Sequence, residues 1–174
     1  MVLFETDRLT VQRFTEADAD AFFSVNGDAE VVKYIRPAKN RTDSDAFLNE
    51  NLNLYQNGSL VGRFAVFSKA DGVFIGTFSF LYLSDGENYH IGYALAKNAW
   101  GKGYATELVK KGVPYFFQTN DKDILYAITE PANGPSRKVL QKAGLTQKGQ
   151  VIENDSFLDF FCITREQWLQ AAES

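Results

Sequence analysis

One stretch limits the possible folds more than any other. Tyr89 to Leu95 alternates in the manner of a strand, and Leu108 and Val109 begin a run with helical spacing. Between them lies Asn98-Ala99-Trp100-Gly101-Lys102-Gly103-Tyr104-Ala105-Thr106-Glu107. A strand therefore passes through a glycine-bearing loop into a helix N-terminus. That junction offers unpaired backbone N–H groups and the positive end of a helix dipole, a setting that suits phosphate. Gly101 and Gly103 permit backbone dihedrals closed to other residues, and Lys102 adds a positive charge.

Two glycines around a lysine also describe an ordinary surface turn capping a helix, so the loop alone leaves both readings open. It is not a P-loop, because the four-residue spacing and the Gly-Lys-Ser/Thr ending are missing. Nor is it a dinucleotide fingerprint, since Thr106 stands at the sixth position of the G-x-G-x-x-G pattern.

The 174 residues suit a single domain, 1–174, with a substantial core. Fifteen Phe favour a sheet with large side chains packed on it. The net charge of −4 argues against general affinity for nucleic acid or anionic membranes, and leaves room for an amine-bearing substrate. A single cysteine, Cys162, rules out an intramolecular disulfide and a cysteine-based zinc site, and no metal is expected. The first eight residues lack an apolar signal core, and the longest apolar run, Val73 to Leu83, is too short to span a bilayer. A cytoplasmic location is the expectation.

Along the chain, Leu9 to Arg13 reads as a strand, and Thr15 with Asp18 as a helix start. Asp28 caps a short expected helix through Val31, Val32 and Ile35, stopped before Pro37. Thr42 with Asp45 opens another, with Phe47, Leu48, Leu52 and Tyr55 as its apolar stripe, closed by Asn57-Gly58. Strands at Arg63 to Ser68, Val73 to Leu83 and Tyr89 to Leu95 form a meander. Tyr104 to Phe117 reads as a helix, in which Pro114 predicts a kink or an early end. Asp123 to Thr129 is a buried strand and Ser136 to Ala143 a helix closed by Gly144. Gln147 to Ile152 and Phe157 to Thr164 form a hairpin around Asn154-Asp155, and Thr164 to Gln167 carries a capping-box signal. The order implies an α/β or α+β sheet with helices on both faces.

This order, together with several motifs, resembles the GCN5-related N-acetyltransferases (GNAT), and within them the RimJ/RimL-like branch that acetylates ribosomal-protein N-termini. The motifs are Glu5-Thr6-Asp7-Arg8-Leu9 through Phe14, His90-Ile91-Gly92-Tyr93-Ala94-Leu95, Trp100 to Glu107, Asn133-Gly134-Pro135-Ser136, and Lys142-Ala143-Gly144-Leu145. The resemblance spans nearly the whole chain. It implies a mixed, mostly antiparallel sheet with acetyl-CoA held in a cleft between two splayed strands. It also implies backbone N–H groups of Lys102, Gly103, Tyr104, Ala105 and Thr106 on the pyrophosphate. Leu95, Ala96 and Lys97 would pair with the pantetheine arm, with Asn133 contacting the same arm. Trp100 stands where the family pattern usually begins with Gln or Arg, which alters a side chain and leaves the backbone cradle. Lys138 and Lys142 either meet phosphate charge or form the solvated face of their helix.

Acetyl transfer to an amine requires a deprotonated amine, donors to the carbonyl oxygen and a protonated leaving thiolate. His90, the only histidine, occupies a position at which relatives in this branch often carry glutamate. It is either the base or the filler of a polar gap in the sheet. Glu130 and Glu87 are the further base candidates. The tyrosine that many family members carry on the helix after the Asn133 position is absent. Ser136 either donates a hydrogen bond to the sulfur or caps its own helix. Tyr93 is read as a sheet residue with no assigned role.

The expected activity is direct acetyl transfer from acetyl-CoA to a protein N-terminal α-amine or a small-molecule amine, with no acyl-cysteine at Cys162. A CoA-binding sensor or interaction module without catalysis is the alternative, and a nucleotide-binding protein is a third. Acceptor choice is expected in the segments Val32 to Asn57 and Gly149 to Phe157, in a monomer or a homodimer.

Overall fold

The computed structural model describes residues 1–173. Eight strands form one open sheet: β1 (Val2–Glu5), β2 (Leu9–Arg13), β3 (Gly62–Ser68), β4 (Phe74–Tyr82), β5 (Tyr89–Leu95), β6 (Ile124–Thr129), β7 (Thr146–Glu153) and β8 (Ser156–Thr164). Their spatial order is β1-β2-β3-β4-β5-β6-β8-β7. Every neighbouring pair is antiparallel except β5 and β6. The helices are α1 (Ala19–Asn26), α2 (Arg41–Leu54), α3 (Tyr104–Thr119), α4 (Gly134–Lys142) and α5 (Arg165–Glu173). This is the expected α/β (α+β) sheet, mixed and mostly antiparallel.

The sheet separates two layers. Gly92, Ser79 and Arg63 lie in register across β5, β4 and β3, so they share one face. Phe47 of α2 packs under the Arg63 guanidinium on that side. The opposite face carries Phe78 and Ile91, which press on Gly112 of α3. Phe116 and Phe117 continue that buried face, and Trp168 of α5 stacks on Phe117 at 5.5 Å. These anchors explain why α3 continues through Pro114 to Thr119 instead of ending early. Proline removes one hydrogen bond, and the burial of two phenylalanines beyond it outweighs that loss.

Local chemistry sets the ends of several elements. Thr15 and Asp18 exchange the expected capping contacts, as do Thr164 and Gln167. Asn154 and Asp155, both at positive φ, make the two-residue turn of the β7–β8 hairpin. The cap of α2 is Asn40, whose side chain accepts from the Asp43 N–H at 2.8 Å, rather than Thr42. Val2–Glu5, for which the sequence reading assigns no element, is a strand, tied to β2 through a register shift. The segment after Asp28 makes turns instead of a helix. Its helical bonds are only Val32 N–H to Asp28 O and Arg36 N–H to Val32 O, and Asp28 Oδ1 diverts the Glu30 N–H at 3.0 Å.

Gly76 decides where β5 ends. It lies opposite Leu95 at positive φ, beside a register shift on β3. A Cβ there would stand 2.4 Å from the Ala94 carbonyl oxygen and 2.7 Å from the Leu95 Cα. Gly76→Ala is expected to cost at least about 1–3 kcal/mol, as overpacking against backbone does. Urea denaturation measures this; unchanged stability would show that β5 has room to move.

Candidate active site

β5 and β6 make a single parallel bridge, His90 to Tyr126, and part beyond it. A cavity of about 700 Å³ occupies the opening. Its floor is the face of β3, β4 and β5 that carries Arg63, Ser79, His90 and Gly92. Tyr34, Ile35 and Arg36 form one wall, and the β7–β8 hairpin, with Glu153 and Ser156, forms another. Both walls fall in the two segments expected to govern acceptor choice. Tyr93, Glu130, Asn133 and Ser136 line the end nearest α4.

At the C-terminal end of β5 the Trp100 indole N–H donates to Leu95 O at 2.8 Å, and Ala96 N–H donates to Ile75 O at 2.9 Å. The Lys97 ammonium pairs with Glu30 at 3.1 Å and Asp28 at 3.7 Å. Those three residues thus already have protein partners for one backbone acceptor, one backbone donor and one side chain. Gly101 and Gly103 both adopt positive φ, and Gly103 is the N-cap of α3. The first α-helical bond of α3 runs from Glu107 N–H to Gly103 O at 3.1 Å. The N–H groups of Tyr104, Ala105 and Thr106 precede it and have no intrahelical acceptor. Those donors, the dipole and Lys102 fit an anionic phosphate chain.

Sequence reading missed what holds this loop. Arg8, in the β1–β2 turn, donates through Nε to Glu107 at 2.8 Å and through Nη2 to Lys102 O at 2.9 Å. Its guanidinium also lies 4.4 Å from the Tyr104 ring centre. Thr6 donates to the same Glu107 carboxylate. Burial works to raise the Glu107 pKa, but the bonds from Thr6 and Arg8 outweigh it and bring the pKa below the usual value. Arg8 and Glu107 both stood in the resemblance motifs; the contact spans 99 residues and has no local signal.

Asn133 caps α4, accepting from the Ser136 N–H at 3.2 Å. Ser136 is therefore not the cap of its own helix. Its side chain lies near that of Tyr93. Burial raises the Tyr93 pKa, opposed by the neighbouring Ser136 hydroxyl. Alternation puts Tyr93 on the α3 side of β5 and His90 on the acceptor-cavity floor. The signal for Tyr93 was its place three residues beyond His90, hence on the opposite face. Lys138 and Lys142 are both exposed on α4. Glu87 sits in the turn before β5, 3.9 Å from Lys122, and is not among the residues lining the cavity. Cys162, on β8, is buried, and burial pushes its thiol pKa up, which makes it a poor nucleophile.

His90 is enclosed enough that burial pushes its pKa down to about 4; Glu153 opposes this and Arg63 reinforces it. Glu153 is itself tied to Ser84, accepting from its N–H at 2.9 Å and from its hydroxyl at 2.7 Å. Among the described residues Glu130 forms no ion pair, and it stands half-buried just beyond β6, lining the cavity.

With the geometry described, the comparisons identify the class. A family model for the acetyltransferase (GNAT) domain matches residues 8–146. The uncharacterized N-acetyltransferase p20 of Bacillus licheniformis is 34% identical over 149 residues, covering 83% of this chain and 82% of its own. The chain belongs to the GNAT family and is an N-acetyltransferase. The fold is shared with an acetyltransferase (GNAT family) from Bacillus anthracis, TM-score 0.80 at 24% identity, covering 95% of this chain and 99% of that one. It is also shared with the aminoglycoside acetyltransferase AAC(6')-Ib in complex with coenzyme A, TM-score 0.79 at 20% identity over 94% and 99%. RimL, the ribosomal L7/L12 α-N-protein acetyltransferase in complex with coenzyme A, gives 0.79 at 14% identity over 94% and 98%. Among the described residues no helix is long and apolar enough to cross a membrane.

The lone imidazole provides a direct test. In the unfolded chain it protonates near 6.5, and in the folded protein only near 4. The unfolded state therefore binds more protons between those values, and the His90 contribution to stability falls as pH falls through that window. Its Cε1 proton resonance is expected to stay flat from about pH 8 to 5.5. A midpoint near 6.5 in the folded protein would mean that the ring is solvated.

Proposed function

We propose that residues 1–174 act as one catalytic domain that transfers the acetyl group of acetyl-CoA directly to a primary amine. The observation that carries this reading is the opening between β5 and β6, with a glycine-loop helix N-terminus following one strand and the Asn133–Ser136 turn following the other. Acetyl-CoA supplies an activated thioester. The N–H groups of Lys102 through Thr106 receive its pyrophosphate, and the free amide N–H₂ of Asn133 donates to its pantetheine arm. Leu95, Ala96 and Lys97 flank that arm through the backbone groups left unengaged. That related folds hold coenzyme A supports this assignment.

The amine enters from the opposite face and meets the thioester at the gap. A ring with a pKa of about 4 is a weak base, so His90 works by accepting a hydrogen bond from the amine. Glu130 takes the proton directly or through water. The amine nitrogen then bonds to the carbonyl carbon, the carbon–sulfur bond breaks, Ser136 donates a hydrogen bond to the departing sulfur, and the proton taken from the amine returns to the thiolate through water. A CoA-binding module without catalysis is favoured by the same weak basicity of His90. A screen of N-terminal peptides, polyamines and aminoglycosides for acetyl transfer separates the two, since CoA binding without turnover of any amine would support the module.

Two sets of variants test the parts. Valine at Gly103 would need a β-branched residue at φ 80°, so Gly103→Val is expected to lose acetyl-CoA affinity at least about tenfold while remaining folded. Calorimetric titration decides it, and unchanged affinity would remove the loop from the site. Tyr93→Phe and Ser136→Ala are each expected to lower kcat by about 10²-fold with little change in the KM for acetyl-CoA. Because the two hydroxyls act as a unit, the double variant should be hardly worse than the poorer single one. Full additivity in steady-state kinetics would separate their roles.

A further inference from the structure

The acceptor side of the cavity holds two guanidinium groups without a carboxylate partner. Arg63 heads β3 and reaches over the Phe47 ring, 4.3 Å from its centre. Arg36 lies 5.2 Å from the centre of the same ring, and the Lys39 ammonium 4.7 Å. Among the described residues, none of these three cations forms an ion pair. Glu50, the carboxylate whose field reaches Arg63, is exposed on α2. Burial, with the neighbouring charge of Arg36, pushes the Arg63 pKa down to about 10. Burial also lowers that of Arg36. Two desolvated like charges around one ring cost stability when no counter-charge is paired with them.

The surroundings fix both groups. The Arg63 backbone N–H donates to Asn51 Oδ1 at 2.8 Å, and its carbonyl accepts from Asn51 Nδ2 at 2.9 Å and from the Tyr55 hydroxyl. Asn51 is 1% exposed. The Arg36 Nη1 donates to Asn26 Oδ1 at 2.7 Å, and Asn26 is equally buried. Asn26 thereby positions one arm of the Arg36 guanidinium, Asn51 fixes the Arg63 backbone, and both arginines line the cavity. The cavity's carboxylates, Glu130 and Glu153, lie toward β6 and the β7–β8 hairpin, across the floor from Arg36 and Arg63. Such a bipolar cavity matches an acceptor with an amine at one end and an anion at the other. A polycation would meet carboxylates on one side and guanidinium groups on the other.

We propose that Arg36 and Arg63 form an oxyanion-binding subsite, so that the amine accepted by this enzyme carries its own carboxylate or phosphate. The identity of that end of the cavity as the acceptor side rests on the acetyl-transfer reading; the anion contact itself does not. Arginine is suited to the task because its planar fork binds either oxyanion through two parallel N–H bonds.

The test has a binding arm and a turnover arm. The probes are ω-amino acids of increasing length with their amides, O-phosphoethanolamine with ethanolamine, and spermidine. In the binding arm the His90 resonance reports on the cavity. Carboxylate or phosphate probes are expected to shift it saturably in the wild type and not in Arg63→Gln or Arg36→Gln. In the turnover arm an anionic amine should exceed its neutral counterpart by about 10- to 100-fold in kcat/KM, the range for charge-assisted bonds. Arg63→Gln should erase that ratio, and Arg63→Lys, which retains charge without the fork, should fall between. The carboxylate and phosphate series distinguish the two sources. The proposal fails if no anionic probe shifts the resonance, if spermidine or the amides are preferred, or if the anion preference survives both Gln variants. Saturable anion binding with no turnover of any amine would sustain the subsite and overturn the transfer reading instead.

Discussion

Everything at the active site depends on one weak seam in the sheet. β5 is held to β4 by seven paired residues, from Gly76–Leu95 to Tyr82–Tyr89, and β6 to β8 by six. Between β5 and β6 only His90 and Tyr126 pair. Two well-bonded antiparallel blocks thus meet at one bridge, and right-handed twist in each carries their strands apart beyond it. Backbone groups along the opening lack the neighbour that a continuous sheet would supply. Buried groups of that kind need a partner, which makes the gap a natural place for an extended ligand carrying amides of its own.

The same seam separates donor from acceptor. Residues of odd number on β5, Ile91 and Tyr93, face α3, while His90 and Gly92 face the floor of the cavity. On the proposed reading, the α3 and α4 N-termini with Tyr93 and Ser136 would lie on the thioester side, and the arginines and Glu153 on the other. A direct transfer needs only that the two ligands meet across the strand edge, and no covalent enzyme intermediate has to carry the acetyl group between faces. The inert environment of Cys162 agrees with this.

Much of this was legible because it is local. Alternation gave the meander, Asn154-Asp155 gave the hairpin turn, and Thr164 to Gln167 gave the last cap, each within a few residues. The short strand Val2–Glu5 was missed because four residues give too little alternation to read, and its stability comes from β2. The turns after Asp28 were read as a helix because Val32 and Ile35 have helical spacing. In the fold Val32 is fully buried while Ile35 is 47% exposed beside the cavity. Of the site, the glycine loop, Asn133 and His90 were nameable from motif and position. The proximity of Tyr93 to Ser136 and the neighbouring arginines were not, since each joins elements that only tertiary structure brings together. The sequence leaves His90 as either a base of ordinary pKa or a polar filler, and enclosure by the floor residues lowers that pKa and changes what the ring can do.

The contact between the N-terminal turn and the glycine loop shows why residues so far from the cofactor loop belong to its motif. Two glycines at positive φ make a loop that loses much conformational freedom on ordering. Left to itself, such a loop would meet its ligand in many shapes and bind it weakly. Arg8 closes that freedom by holding Lys102 O and the Glu107 carboxylate at once, with Thr6 on the same carboxylate and the Tyr104 ring beneath the guanidinium. As a stability device the pair is modest, because Arg8 is 46% exposed and Glu107 22%, and half-exposed ion pairs are worth little. Its effect lies in geometry. It fixes both flanks of Gly103, so the free N–H groups of α3 point in one direction before any ligand arrives. It also uses a carboxylate in the first turn of the helix, where the dipole favours negative charge, and pairs it so that it does not repel an incoming phosphate. Glu107 without Arg8 would oppose the ligand; with Arg8 it serves as the post to which the loop is tied.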